Sequence, residues 1–257
     1  MISKAKLKYI HSLQYKKGRE ANSTFVAEGP KVVGDLLVSF QPELLVATTK
    51  WLKQASNQQL INKYLHEKAN VIEVSREELN KASILQHPQD VLCTFKQRST
   101  IAYTHIHNQL VLALDGVQDP GNLGTIIRIA DWFGISTIIC SEDTTDVYNP
   151  KVIQATMGSL AHVQVIYTSL PNYINSLPND TPIYGTLLDG NDIYQQALSN
   201  NGLIIMGNEG KGISAVVRDL INKPLLIPNF SNQVHKAESL NVAVATAIIC
   251  SEFKRRK

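Results

Sequence analysis

The chain has 257 residues, 44% of them hydrophobic and 18% charged, which suits a globular protein of one large or two modest domains. Neither an apolar run of about 18 residues nor a signal-peptide core follows the lysine-rich start, so a cytoplasmic protein with no membrane segment is expected. The net charge is only +3, but residues 1–20 carry +5 and the last four +4, leaving about −6 on the body. Basic ends on an acidic body suit a polyanion partner, or simply termini kept soluble by charge. Cys93, Cys140 and Cys250 are odd in number, far apart and without a C-x-x-C pair, and are expected as reduced core thiols rather than disulfides or zinc ligands.

In chain order, "ELLVAT" at 43–48 predicts a strand, "WLKQASNQQLINKYLHEKA" at 51–69 a helix and "VIEV" at 71–74 another strand. Ser75 with Glu78 makes a capping box for the helix that follows, and "DVLCTFKQ" at 90–97 closes a small α/β domain over residues 1–97. Residues 98–108, "RSTIAYTHIHN", mix polar and β-branched types and are the expected linker; His105 and His107 in it alternate as on a strand face and are not expected to bind metal. From Gln109 to the end the pattern changes to short, continuous apolar runs: "LVLALD", "STIIC", "VQVIY", "IYGTLL", "GLIIMG" and "PLLIP". Runs apolar on both faces, separated by helix-length segments, predict a parallel sheet covered on both sides, with ligands at the carboxyl ends of its strands.

Three loops at those ends are unusually loaded. In "DGVQDPGNLGTIIRIADWFG", residues 115–134, Gly116 and Gly121 have P-loop spacing, but Asn122 and Leu123 stand where Lys and Ser or Thr must follow. A dinucleotide loop fails as well, since only Gly121 and Gly124 flank the turn. A helix over 122–133 would put Leu123, Ile126, Ile127, Ile129, Ala130 and Phe133 on one arc and Arg128 with Trp132 on the opposite one. Arg128 is then either an ordinary surface arginine or a functional one, and an exposed Trp132 beside it suggests a covered surface. "GNEGKGIS" at 207–214 has glycines enough to present backbone amides to a ligand, or to make a plain surface turn. "ESLNVAVATAI" at 238–248 reads as a buried helix whose start carries Ser239 and Asn241; capping alone could account for Ser239.

Taken in order, "PGNLGTIIRIADWFG", "GNEGKGIS" and "IP…ESLNVAVATAI" resemble the three motifs of the SpoU-type (TrmH-like) RNA 2′-O-ribose methyltransferases of the SPOUT superfamily, over residues 109–253. "SKAKLKYIHSLQYKKGR" and "FVAEGPKVV" resemble the small RNA-binding domain that often precedes this catalytic domain. The resemblance implies an α/β fold with a parallel sheet tied in a trefoil knot, an exception to the rule against knots. It also implies a homodimer, with Trp132 near the partner, and S-adenosylmethionine bound by Thr186, Leu187, Gly207, Ile227 and Leu240. Asn122, Arg128, Glu209, Ser239 and Asn241 match the family's active-site positions. One departure is the insert "NFSNQVHKA" at 229–237, longer than the family's, with Ser231 where a glycine is usual; His235 and Lys236 within it are RNA contacts or ordinary loop residues.

The implied reaction is transfer of a methyl group to a ribose 2′-hydroxyl of RNA, ribosomal in preference to transfer RNA. It is an in-line displacement that needs alignment and proton removal but no metal. A guanidinium is a poor free base, so Arg128 is expected to act electrostatically on phosphate and hydroxyl, with Asn122 orienting the latter. The rival readings are a nucleotide-dependent α/β enzyme, disfavoured by the missing P-loop lysine, and a non-catalytic RNA-binding module that keeps the fold.

Overall fold

The computed structural model describes residues 2–65, 70–99, 109–233 and 237–255. Two compact units emerge, one built from Met1–Ser99 with Asp146–His162, the other from Thr100–Thr145 with Val163–Lys257.

The first unit opens with α1 (Lys4–Ser12) and α2 (Lys16–Asn22), followed by β1 (Thr24–Glu28), α3 (Pro30–Leu37) and β2 (Pro42–Thr48). It continues with α4 (Thr49–Leu52), α5 (Ala55–Tyr64), β3 (Asn70–Val74), α6 (Arg76–Ala82) and β4 (Val91–Lys96). The four strands form a mixed sheet in the order β1-β4-β2-β3, with β4 antiparallel to both neighbours and β3 parallel to β2. The capping box forms as expected, Ser75 Oγ accepting from Glu78 N and Glu78 accepting from Ser75 N. The single helix expected from residue 51 does not: α4 stops at Leu52 and α5 starts at Ala55. Asn57 holds the break, because its Nδ2 donates at 2.9 Å to the Trp51 carbonyl, a group that a continuous helix would use itself, and at 2.9 Å to the Gln54 side chain.

The second unit begins with β5 (Leu110–Asp115), α7 (Pro120–Trp132) and β6 (Thr137–Cys140). The chain then gives Asp146–His162, including α8 (Pro150–Thr156), to the first unit before it resumes as β7 (Gln164–Tyr167). A two-block division of the chain does not anticipate this excursion. Its cause is apolar: Val147, Val152, Ile153, Leu160 and Ala161 are buried, and Tyr148 stacks on Phe25 at 4.8 Å between ring centres. Arg19 adds a polar clasp, donating through Nε at 3.0 Å and Nη2 at 2.7 Å to Asp146 and through Nη1 to the carbonyls of Leu13 and Gln14. Arg98, at the start of the expected linker, is likewise fixed in the first unit, its amide donating to Tyr148 Oη and its Nη2 to the Ala161 carbonyl. Residues 100–108, with His105 and His107, lie outside the described residues.

After β7 come α9 (Leu170–Asn175), β8 (Ile183–Asp192), β9 (Gly202–Gly207), α10 (Ala215–Arg218), β10 (Lys223–Leu226) and α11 (Val242–Arg255). The six strands are all parallel, in the order β10-β8-β9-β5-β6-β7. β5 is buried throughout and β9 nearly so, as continuous apolar runs require when helices cover both faces. Cys93, Cys140 and Cys250 are free and buried, with burial pushing all three thiols up, Cys250 to about 12.

Candidate active site

Three segments meet at the carboxyl ends of the central strands. β5 ends at Asp115 beside Gly207, its register partner at the end of β9, so the turns that follow leave the sheet side by side. Gly116 takes a left-handed φ of +72°, which glycine adopts without strain. Its amide donates to Ser141 Oγ at 2.8 Å and its carbonyl accepts from Asn208 Nδ2 at 2.6 Å, so these groups hold the protein together rather than a phosphate.

α7 starts at Pro120, behind an Asp119 cap that accepts from the Asn122 amide at 2.8 Å. Along the helix Leu123, Ile126, Ile127 and Ala130 are buried as expected, while Ile129 and Phe133, at the edges of the arc, are half-buried. Asn122 Nδ2 donates to Glu209 Oε1 at 3.0 Å, and Asn122 Oδ1 accepts from Asn241 Nδ2 at 2.9 Å. Asn241 in turn caps α11, its Oδ1 accepting from the amides of Ala243 and Val244. The amide side chains thus bring the amino-terminal ends of two long helices together, a place where negative charge is favoured. Glu209 occupies it. Partial burial pushes its carboxyl up, but hydrogen bonds from Asn122, its own amide and the amides of Asp119 and Gln118 outweigh this and hold it below the usual glutamate value.

Gly207 is glycine for a reason internal to the loop. A Cβ there would lie 2.4 Å from the Gly212 carbonyl carbon and the Ile213 nitrogen, because Asn208 and Gly212 exchange backbone hydrogen bonds that fold the loop back on itself. Asp115 Oδ2 then fixes the far end by accepting from Ser214 N at 2.7 Å.

Of the ten site residues expected from the sequence, Asn122, Glu209 and Asn241 form one hydrogen-bonded chain. Arg128 is exposed, with no partner among the described residues, on the face of α7 that also bears Trp132, 85% exposed. Ser239 is exposed and stands outside the chain; the cap of α11 is Asn241 instead. Gly207 closes β9, Ile227 follows β10, and Thr186 with Leu187 lie within the adjacent β8, just past Gly185, its last residue paired with β9. There the β8–β10 register jumps from Gly185 to Asn191, and residues 186–190 swing out of the ladder. Thr186 Oγ1 donates to the Ile205 carbonyl, Leu187 and Ile227 are half-buried, and Leu240 is half-exposed on the approach to α11. The insert closes on itself, Asn229 Nδ2 donating to the Ala237 carbonyl, with the Ser231 amide donating to Asn229 Oδ1. His235 and Lys236 lie outside the described residues.

The sequence reading missed the supports of this corner. Asp115 and Asn208 had a signal, as a polar residue closing an apolar run and an asparagine between glycines. Ser141, which bridges Gly116 N, Asp143 and Thr144, had none. Among the described residues no three His, Cys, Asp or Glu side chains gather into a metal site, and no helix is long and apolar enough to cross a membrane.

A parallel α/β domain that presents an amide–carboxylate corner at its strand ends, and an unpaired arginine further along the helix that starts there, is a ligand-binding domain of the kind that serves group transfer. Its family follows from comparison: residues 109–251 match the SpoU rRNA methylase family and residues 4–93 the MRM3-like substrate binding domain, and the chain belongs to the SpoU rRNA methylase family. It is 32% identical to the 23S rRNA (guanosine(2553)-2′-O)-methyltransferase RlmP of Bacillus subtilis, over 95% of this chain and 94% of that one. Among solved structures, a TrmH-family protein of Porphyromonas gingivalis superimposes with a TM-score of 0.88 at 36% identity, covering 100% of both chains. An AdoMet-bound rRNA methyltransferase of Sinorhizobium meliloti gives 0.85 at 29% identity, covering 100% of this chain and 96% of that one.

Proposed function

We propose that this protein transfers a methyl group from S-adenosylmethionine to a ribose 2′-hydroxyl of ribosomal RNA. The observation that carries the reading is the side-chain link Asn241–Asn122–Glu209, which joins all three motif loops, while α7 also bears an arginine left free of the fold. A module that only bound RNA would have no need of that link. The family membership and the 2′-O-methyltransferase named among its relatives point the same way.

The residues available suit the cofactor. Thr186, Leu187, Gly207 and Ile227 offer half-buried apolar surface and strand-end backbone, and Leu240 can cover it from the α11 side. When bound there, S-adenosylmethionine supplies the sulfonium methyl. The chain's own part is to orient and to polarise: Asn122, its amide fixed on both sides, orients the ribose hydroxyl. Arg128 grips the neighbouring phosphate and stabilises negative charge developing on the 2′-oxygen as the hydroxyl proton passes to solvent water and the C–S bond gives way to the new C–O bond. Glu209 keeps Asn122 in a single amide orientation, and Ser239, exposed near Asn241, is free to meet RNA.

The parallel domain is knotted, a reading supported by the chain leaving β10 at the sheet edge and returning at Asn241 to Asn122 beside the central strands. The domain of residues 1–97 holds RNA, supported by the exposed lysines of α1 and α2 and by the substrate-binding model it matches. The protein works in the cytoplasm as a homodimer through the face of α7, where a largely exposed tryptophan calls for a cover.

The test is to incubate the purified protein with labelled S-adenosylmethionine and either ribosomal or transfer RNA, then digest to nucleosides and analyse by mass spectrometry. A 2′-O-methylnucleoside from ribosomal RNA is expected. Label on a base, or none on ribosomal RNA, would overturn the assignment.

A further inference from the structure

The mixed sheet of the first unit is hollow at one end. β1, β2 and β3 begin there, at Thr24, Pro42 and Asn70, and the antiparallel β4 finishes there at Lys96. With Lys6 and Tyr9 of α1 these ends line a cavity of about 430 Å³, within the range of small-ligand sites. Among the lining residues the Glu43 carboxylate is held in place: Lys96 Nζ reaches Oε1 at 2.6 Å, while Tyr9 Oη at 3.1 Å and Thr24 Oγ1 at 2.8 Å donate to Oε2, the threonine sharing its one hydrogen with the Asn22 carbonyl. Desolvation pushes this carboxyl up, but the three donors and the Lys96 charge outweigh it and hold it below the ordinary glutamate value. It is therefore an ionised, fixed acceptor at neutral pH. Two oxygens carry about four acceptor sites, and three are taken, so one remains for a ligand donor.

Three more lining side chains are uncommitted. Lys6, Gln41 and Asn70 have no side-chain partner among the described residues. A fixed acceptor beside two free amides and an ammonium is more than the fold needs. It matches a nucleotide, whose base edge offers donors and acceptors together and whose phosphate suits the ammonium. Every lining residue except Lys96 falls within residues 4–93, the stretch that matches the substrate-binding model, which favours a nucleotide within a longer RNA over a free one. Sequence-specific RNA recognition depends on unpaired bases of this kind.

We propose that this cavity reads one unpaired nucleotide of the RNA substrate, its base edge against Glu43, Gln41 and Asn70 and its phosphate on Lys6. The proposal rests on the ribosomal RNA reading of the preceding section and adds where on the first unit the RNA is recognised.

The experiment is filter binding of a 23S rRNA transcript by the full chain over a series of KCl concentrations, with Lys6→Ala, Gln41→Ala and Asn70→Ala alongside. Lys6→Ala should flatten the plot of log affinity against log salt by about 0.7–0.9, one phosphate's worth. Gln41→Ala and Asn70→Ala should weaken binding about 5- to 100-fold at unchanged slope, with GMP at millimolar concentration failing to compete. Wild-type affinity and slope in all three variants would overturn the cavity assignment while leaving methyl transfer to ribosomal RNA intact. Competition by micromolar GMP with RNA affinity unchanged in the variants would also overturn it, in favour of a free-nucleotide site. Absence of both binding and methylation with the unaltered protein would remove the ribosomal RNA reading and the proposal together.

Discussion

Arg19 in the mixed-sheet unit and Arg128 in the parallel-sheet unit are the same residue used in opposite ways. Arg19 is 3% exposed and spends its donors on Asp146 and on the carbonyls of Leu13 and Gln14, where they tie residues 146–162 to α2. Arg128 is exposed and has no partner among the described residues, although Asp131 and Asp119 share its helix and cap. A guanidinium whose hydrogen bonds are made within the chain maintains the fold; one left uncommitted on the helix that begins at an ordered amide–carboxylate corner is available to a phosphate. The contrast predicts that the two residues fail differently when replaced.

The largest effect should be at Arg128. Replacing it with alanine is expected to lower single-turnover methylation on the order of 10³-fold, the cost of losing a donor aimed at developing charge, with S-adenosylmethionine affinity by calorimetry nearly unchanged. Lysine should rescue poorly, because an ammonium lacks the planar fork that can hold phosphate and hydroxyl together. An equal loss of cofactor affinity would put Arg128 on the wrong substrate.

Arg19→Ala should instead cost stability, roughly 2–4 kcal/mol in urea unfolding, since it leaves the carbonyls of Leu13 and Gln14 and Oδ2 of the partly buried Asp146 without donors, Oδ1 keeping the Tyr148 amide. The turnover of the molecules that stay folded should be close to wild type. Deleting residues 1–95 would be a harsher cut, because it strips the cover from Val152, Ile153 and Leu160. Loss of solubility is the expected outcome, and a soluble fragment with full cofactor affinity would show that the 146–162 excursion can stand alone.

Next in size is Trp132, which extends the face that Arg128 shares. Trp132→Glu should move the protein toward monomer in sedimentation at micromolar concentration, and a persistent dimer would place the contact elsewhere. The smallest effect concerns Glu209, whose carboxyl is held low by its donors. A carboxyl depressed in the folded state stabilises the protein above its unfolded value of about 4.3, and the contribution is lost as pH falls through the folded value. The difference in melting temperature between wild type and Glu209→Gln should therefore be constant above about pH 5 and shrink below it; a difference that grows on acidification would contradict the assignment.

Sequence pattern made the parallel sheet and the face of α7 legible because both depend on periodicity: apolar runs gave β5, β6 and β9, and a 100° repeat separated Leu123 and Ile126 from Arg128. It could not show that residues 146–162 fold with the first unit, since Val152 and Ile153 look alike whichever core they enter. Nor could it separate α4 from α5, because the break depends on one asparagine side chain reaching back to Trp51. At the site, Asn122, Glu209 and Asn241 were found through the resemblance, yet their hydrogen-bonded chain spans 119 residues and has no local signature. Gly207 was legible as a close-packed glycine, but its neighbour is the backbone of Gly212 and Ile213, so a substitution there would unfold the loop that carries Glu209.

Methylation of a ribosomal ribose at this corner depends on Arg128. It is tested most directly by mapping every 2′-O-methyl group in ribosomal RNA from cells that lack this chain, then from the same cells supplied with the wild-type or the Arg128→Ala protein. One ribose methylation should be lost, and restored by the wild type but not by Arg128→Ala. An unchanged set of ribose methylations in the cells lacking it, or full restoration by Arg128→Ala, would contradict it.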